Sequence, residues 1–186
     1  SRLFSPTDFS VYAVFVSLYS ILGSVITLKY DLAIMLPKDS NKAINVVNLC
    51  LANSIVMTLF VFIVLLFFGQ YFIALLKLEK IGNWYLLLPI AAFFLAVNNV
   101  LINWYNRNKQ YKTISSNRIL RTAINVGSNI VFGFARFAHG GLIASQLLSD
   151  GFSAAVYLVR YYYCVLNKKI STTFGDLKSI ALEYKD

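Results

Sequence analysis

Five times along this chain the sequence holds an apolar run close to the ~20 residues that a membrane-crossing helix needs. The first runs from about Phe9 to Leu28, and its helical pattern continues to Leu36 before Pro37 ends it. The second lies within Ile44–Leu76, the third covers about Trp84–Tyr105, the fourth about Ile119–Phe137 and the fifth about Gly141–Val165. Trp84, Tyr85, Trp104 and Tyr105 bracket the third run, which is how an aromatic belt looks at the two membrane–water interfaces. Gly140-Gly141 reads as a tight turn joining the last two runs into an antiparallel hairpin. The opening SRLFSPTDFS carries a helix start: Ser5 as cap, Pro6 at the first helical position and Asp8 at the capping-box place. A sequence that begins on a cap reads as the continuation of an earlier element. Residues 167–186 are polar and read as a short helical or frayed tail.

Composition strengthens the pattern. Charged residues make up 13% of the chain, against about 25% in soluble domains. A soluble fold of this length would have to clothe its surface in apolar side chains, whereas a lipid-facing surface has no such need. The net charge of +9 invites a nucleic-acid reading. The basic residues do not form a stripe with interleaved aromatics, however. They fall between the apolar runs, as in membrane proteins, and no nucleic-acid partner is expected. Counted by alternate gaps, 13 lie on one side, including Lys29, Lys38, Lys42, Arg107, Lys109, Arg118, Arg121 and Arg160, and 4 on the other, Arg2, Lys77, Lys80 and Arg136. The first side is expected to be cytoplasmic. The chain is then expected to start outside, which calls for an odd number of spans upstream, most simply one, if the N-terminus of the whole protein is inside.

Polar residues inside the apolar runs are few and ordered. Arg118, Arg121, Asn125, Ser128 and Asn129 share one face of the fourth helix, and Gln146, Ser149, Asp150, Ser153 and Tyr157 share one face of the fifth. Asn99, Asn103 and Asn106 form a shorter stripe on the third. Such stripes either hydrogen-bond helix to helix or line a wet cavity. Asp150 lies close to mid-span: it is either structural, paired with Arg121 or hydrogen-bonded to Gln or Ser, or functional, sensing protons or lining a substrate path. Arg118 and Arg121 can also snorkel to headgroups. Lys29 falls at the inner edge of the first span. Asp31, two positions on, points elsewhere, so each needs its own partner or water: Lys29 can snorkel to headgroups, whereas Asp31 is expected to meet the basic gap after the third span.

Catalytic and metal signals are weak. Cys50 and Cys164 have no neighbouring Cys or His at ligand spacing, and the single histidine, His139, sits beside glycines in an outer gap. No phosphate-cradling glycine loop is present, so no metal, cofactor or nucleotide is expected.

Two blocks carry a resemblance. SPTDFSVYAVFVSLYSILGSVITLKYDLAIMLPKD (residues 5–39) and NWYNRNKQYKTISSNRILRTAINVG (residues 103–127) resemble the bacterial polysaccharide, or O-antigen, flippases of the multidrug/oligosaccharidyl-lipid/polysaccharide exporter superfamily. The resemblance implies an all-α integral membrane fold of twelve to fourteen helices in two bundles around a central cavity. Residues 1–186 would be helices two to six of the first bundle, truncated at both ends. It further implies a multi-pass protein of the bacterial inner membrane that flips undecaprenyl-diphosphate-linked oligosaccharide for O-antigen, capsule or exopolysaccharide synthesis. Its partners would be that lipid-linked oligosaccharide, membrane lipids, the second bundle of the same chain, and polysaccharide polymerase and chain-length proteins. Lys29, Arg118, Arg121, Asn125, Gln146 and Asp150 are the candidate substrate-path residues, with Asp31 as a structural charge. A cation-coupled drug exporter of the same superfamily is one alternative. A membrane-embedded polysaccharide-biosynthesis enzyme is another, disfavoured because the longest outer gap, about LKLEKIGNW, is too short to hold a catalytic loop.

Overall fold

The computed structural model describes residues 4–37, 39–75, 79–135 and 138–167. The expectations for residues 168–186, for Lys77 and for Arg136 lie outside these. Five α-helices follow one another: α1 (Pro6–Ile26), α2 (Ser40–Leu75), α3 (Leu88–Arg107), α4 (Tyr111–Phe134) and α5 (Ala138–Asn167). Two 3₁₀ segments, Tyr30–Met35 and Glu79–Leu87, connect the first three. There is no strand among the described residues.

Four of the five helices are long and apolar enough to cross a membrane. The exception is α4, whose 24 residues give it the length, while Arg118, Arg121 and its asparagines lower its hydropathy. The helix also starts at Tyr111 rather than near Ile119, so most of the basic stretch expected as a loop is its first turns. Only residues 108–110 connect α3 to α4. Gln110 donates its N–H to the Tyr105 carbonyl at 2.9 Å across a left-handed Lys109, which closes the end of α3 as a Schellman turn.

The first helix begins as its sequence dictates. Asp8 N–H donates to Ser5 Oγ at 3.2 Å, Ser5 N–H donates to Asp8 Oδ2 at 2.9 Å, and Pro6 occupies the first position. It does not continue to Leu36. Helical backbone stops at Ile26, and Leu28 and Lys29 both take left-handed φ values, 47° and 61°. The freed Ile26 carbonyl accepts from Asn53 Nδ2 of α2 at 3.2 Å, so a neighbouring helix supplies the cap that the sequence around Thr27 lacks.

α3 is the centre of the bundle, packed against α1, α2 and α5, and α4 pairs with α5. Ala91, Ala92 and Ala96 give α3 a small-residue face on which α1 and α5 approach closely, as membrane helices do where van der Waals contact replaces the hydrophobic effect. A second cluster fills the basic end, where Trp104, Tyr157 and Tyr161 pack against Ile44 and Val47 of α2. Gly140 and Gly141 do not make the hairpin turn; they lie inside α5. At Gly140 the reason for glycine is contact, because a Cβ there would enter the indole ring of Trp84. Large apolar side chains face outward along the second half of α2, from Ile55 to Phe72. The result is an all-α membrane protein with lipid-facing apolar surface.

Candidate functional site

α4 and α5 are antiparallel, and their polar faces meet rung by rung. Asn117 Nδ2 donates to Ser153 Oγ at 2.8 Å. One turn further along α4, Arg121 reaches Asp150, with Nε and Nη2 both at 2.5 Å from Oδ1. A turn beyond that, Asn125 Nδ2 donates to Gln146 Oε1 at 3.1 Å and to Ser149 Oγ at 3.3 Å. The i, i+4 spacing that places these residues on one face of each helix makes the register possible.

Gln146 ties this ladder to α1. Its Oε1 also accepts from Tyr12 Oη at 2.8 Å, while its Nε2 donates to Tyr19 Oη at 3.2 Å and to Asp150 Oδ2 at 3.0 Å. Asp150 thus has its two carboxylate oxygens shared between Arg121 and Gln146, and its backbone carbonyl accepts from Asn98 Nδ2 at 3.1 Å. The Asp150 side chain is wholly buried, and that of Arg121 is 31% exposed. An ionised carboxylate survives at this depth only with such partners, since an unpaired charge in an apolar interior is expensive.

Four of the sequence candidates therefore assemble into one hub: Arg121, Asn125, Gln146 and Asp150. Arg118 lies one turn before Arg121 and is exposed, outside the hydrogen-bonded set. Lys29 is also exposed and apart from the hub, at the left-handed turn that ends α1. Asp31 is buried, but an amide meets it where a cation was expected. Asn103 Nδ2 donates to its Oδ2 at 3.2 Å and to its backbone carbonyl at 3.1 Å. Because α1 stops early, the chain turns Asp31 inward beneath α3. There Asn103 comes first, and Arg107 reaches past it to the Ile34 carbonyl at 3.2 Å and the Asp39 carbonyl at 3.4 Å.

Sequence reasoning missed Tyr12, Tyr19, Asn98 and Asn117. Of the adjacent pair Asn98 and Asn99 on α3, it is Asn98 that is buried, and its Oδ1 accepts from Ser153 Oγ at 2.7 Å. The signal was available: Asn98 lies seven positions from both Ala91 and Tyr105, each buried. Tyr12 and Tyr19 stand seven apart on α1, and a tyrosine inside an apolar span needs a partner for its hydroxyl. No group of three or more His, Cys, Asp or Glu side chains gathers among the described residues. Cys50 is buried in the core and Cys164 is half-buried.

A multi-pass helical bundle with a hydrogen-bonded charged hub between its helices defines an all-α integral membrane protein. The family model described as polysaccharide biosynthesis protein matches residues 1–181, and the chain belongs to that family. Its role is in polysaccharide biosynthesis or export. No curated protein and no solved structure matches the chain.

Proposed function

We propose that the chain forms part of a transporter that flips an undecaprenyl-diphosphate-linked oligosaccharide from the inner to the outer leaflet of a bacterial inner membrane. The cargo crosses without any covalent bond being made or broken. The observation that carries this reading is the polar face of α4. Arg121, Asn125, Ser128 and Asn129 are only partly covered and Arg118 is exposed, so the stripe extends along α4 beyond the hub and α5 does not cover it completely. Within a bilayer such a face must meet water or further protein. Arginine suits a diphosphate and amides suit sugar hydroxyls, so the stripe has the chemistry of one wall of a cavity for a glycosylated diphosphate. The two sequence blocks that resemble polysaccharide flippases support the same reading.

The pairing of Asp150 with Arg121 speaks against the drug-exporter alternative. A cationic cargo calls for an acid whose charge is available, and this acid is already neutralised and enclosed.

The test uses the intact protein in a bacterial host lacking its own flippase. Among the described residues the Arg118 side chain has no hydrogen-bonded partner, so Arg118→Ala should leave protein abundance unchanged. The expected outcome is reduced surface polysaccharide together with build-up of the lipid-linked precursor in the inner leaflet. If loss of the protein leaves the oligosaccharide itself unassembled, the chain acts before flipping and the reading fails.

A further inference from the structure

We propose that the basic end of the bundle holds an anionic phospholipid, its phosphodiester seated in the pocket that Met35, Leu36, Pro37 and Ser40 form with the α3–α4 turn. This site is separate from the α4–α5 hub and does not depend on the transport reading. The pocket has a volume of about 550 Å³ and opens to the outside. One part of its lining, here called the wall, is polar: Ser40, Asn106, Asn108, Arg107 and Lys109. The other part, the rim, is the exposed apolar lining: Met35 and Leu36 are about half and two-thirds exposed, and Tyr111 is exposed as well.

The two halves of this lining ask for different parts of one molecule. Arg107 is fixed in place by the Ile34 and Asp39 carbonyls, which orients its guanidinium at the pocket wall. Lys109 supplies a flexible ammonium, and among the described residues no carboxylate pairs with it. A cationic wall of this kind is matched by a phosphate oxygen. The bare leucine and methionine are matched by acyl chains, and the tyrosine by the interface between chain and headgroup. A free phosphate would use the wall and leave the rim in water. A zwitterionic lipid would use the rim but bring its own cation against Lys109. An anionic phospholipid uses both.

The backbone provides a clean probe. Lys109 sits at φ 55°, a conformation that asparagine and glycine adopt more readily than lysine. Lys109→Asn and Lys109→Gly therefore remove the charge without straining the turn, and a thermal melt in detergent should confirm that both remain folded. The purified protein is titrated with phosphatidylglycerol and, separately, phosphatidylcholine, and retained lipid is counted by native mass spectrometry. Phosphatidylglycerol should be preferred. Each Lys109 variant should lose about fivefold in its affinity, the weight of one basic residue at an anionic surface. Lys109→Arg should keep it, and Arg160→Gln, an equal charge change on another exposed face, should not alter it. Equal losses for Lys109→Asn and Arg160→Gln would reduce the preference to general electrostatics and overturn the proposal. So would full displacement of the lipid by millimolar inorganic phosphate or diphosphate, which would mean that the pocket reads a free anion.

Discussion

Arg121 and Asp150 are joined unequally: two guanidinium nitrogens converge on Oδ1 of a wholly buried carboxylate, while the arginine itself keeps a third of its side chain exposed. Each partner therefore leaves a different defect when the other is removed. Without Arg121 the carboxylate stays buried with only Gln146 and no countercharge. Without Asp150 the arginine can swing toward water.

The expected consequence is an asymmetry in stability. Arg121→Gln should cost about 3 kcal/mol, the order found for breaking a buried ion pair. Asp150→Asn should cost about 1 kcal/mol, because the amide can still bond Gln146. Thermal melts of the two variants in detergent test this, and the opposite order would mean that Arg121 is the more deeply committed partner.

Lys29 and Asp31 should fail in different ways. Lys29 is exposed and left-handed, so Lys29→Ala removes a charge from the surface, not a packed group. Surface polysaccharide should fall while protein level holds, and Lys29→Arg should be tolerated. Asp31→Ala deletes the carboxylate that accepts from Asn103 and should lower abundance, at about 1 kcal/mol for the lost hydrogen bond. Export assays paired with immunoblots separate the two.

Adjacent asparagines on α3 should behave unlike each other. Asn98→Ala breaks a buried link from α3 to Asp150 and Ser153 and is expected to cost about 1–2 kcal/mol. Asn99→Ala, on the partly exposed side, should stay within about 0.5 kcal/mol of the parent. Chemical denaturation in mixed micelles gives both values.

Two glycines at close contacts should differ as well. Gly140→Ala drives a methyl into the rigid Trp84 ring and should destabilise by about 1–3 kcal/mol. Gly23→Ala crowds the Leu95 side chain, whose Cδ2 is 2.8 Å away, while the Ala92 carbonyl oxygen stays at an ordinary 3.6 Å, and a Leu95 rotamer change can relieve it. Gly140→Ala should accordingly show the larger drop in melting temperature.

The orientation from the basic bias is open to labelling. With Cys164→Ser to remove the half-buried native thiol, Arg118→Cys should react with an impermeant maleimide only from the cytoplasmic side. Labelling from the outside would invert the topology.

The membrane class, the number of helices and the polar ladder could be read from the sequence because each rests on periodicity. Apolar length marks a span, and i, i+4 spacing marks a face, so Arg121, Asn125, Gln146 and Asp150 declared themselves. What escaped depends on three-dimensional partners. Nothing local to Thr27-Leu28-Lys29 announces two left-handed residues, since the cap that permits the break comes from Asn53 on another helix. Gly140-Gly141 looks like a turn in isolation, and only the position of Trp84 explains it as a contact. The Asn98–Asn99 ambiguity is of the same kind: one residue of register decides which side chain is inside, and the register is set by neighbours.

The length of α2 has a mechanical consequence. Its 36 residues extend roughly 54 Å at the usual helical rise. The hydrocarbon core of a bilayer is ~30 Å thick. Even the steepest inclination common among spanning helices, about 40°, leaves a helix of this length longer than the core it crosses. Its first half is fastened by Ile44, Val47 and Cys50 to the central cluster, while its second half carries mostly outward-facing side chains. The helix is thus held more closely at one end than at the other, where Met57, Leu65 and Gly69 contact the rest of the bundle, so a thinner or thicker bilayer shifts that second arm first.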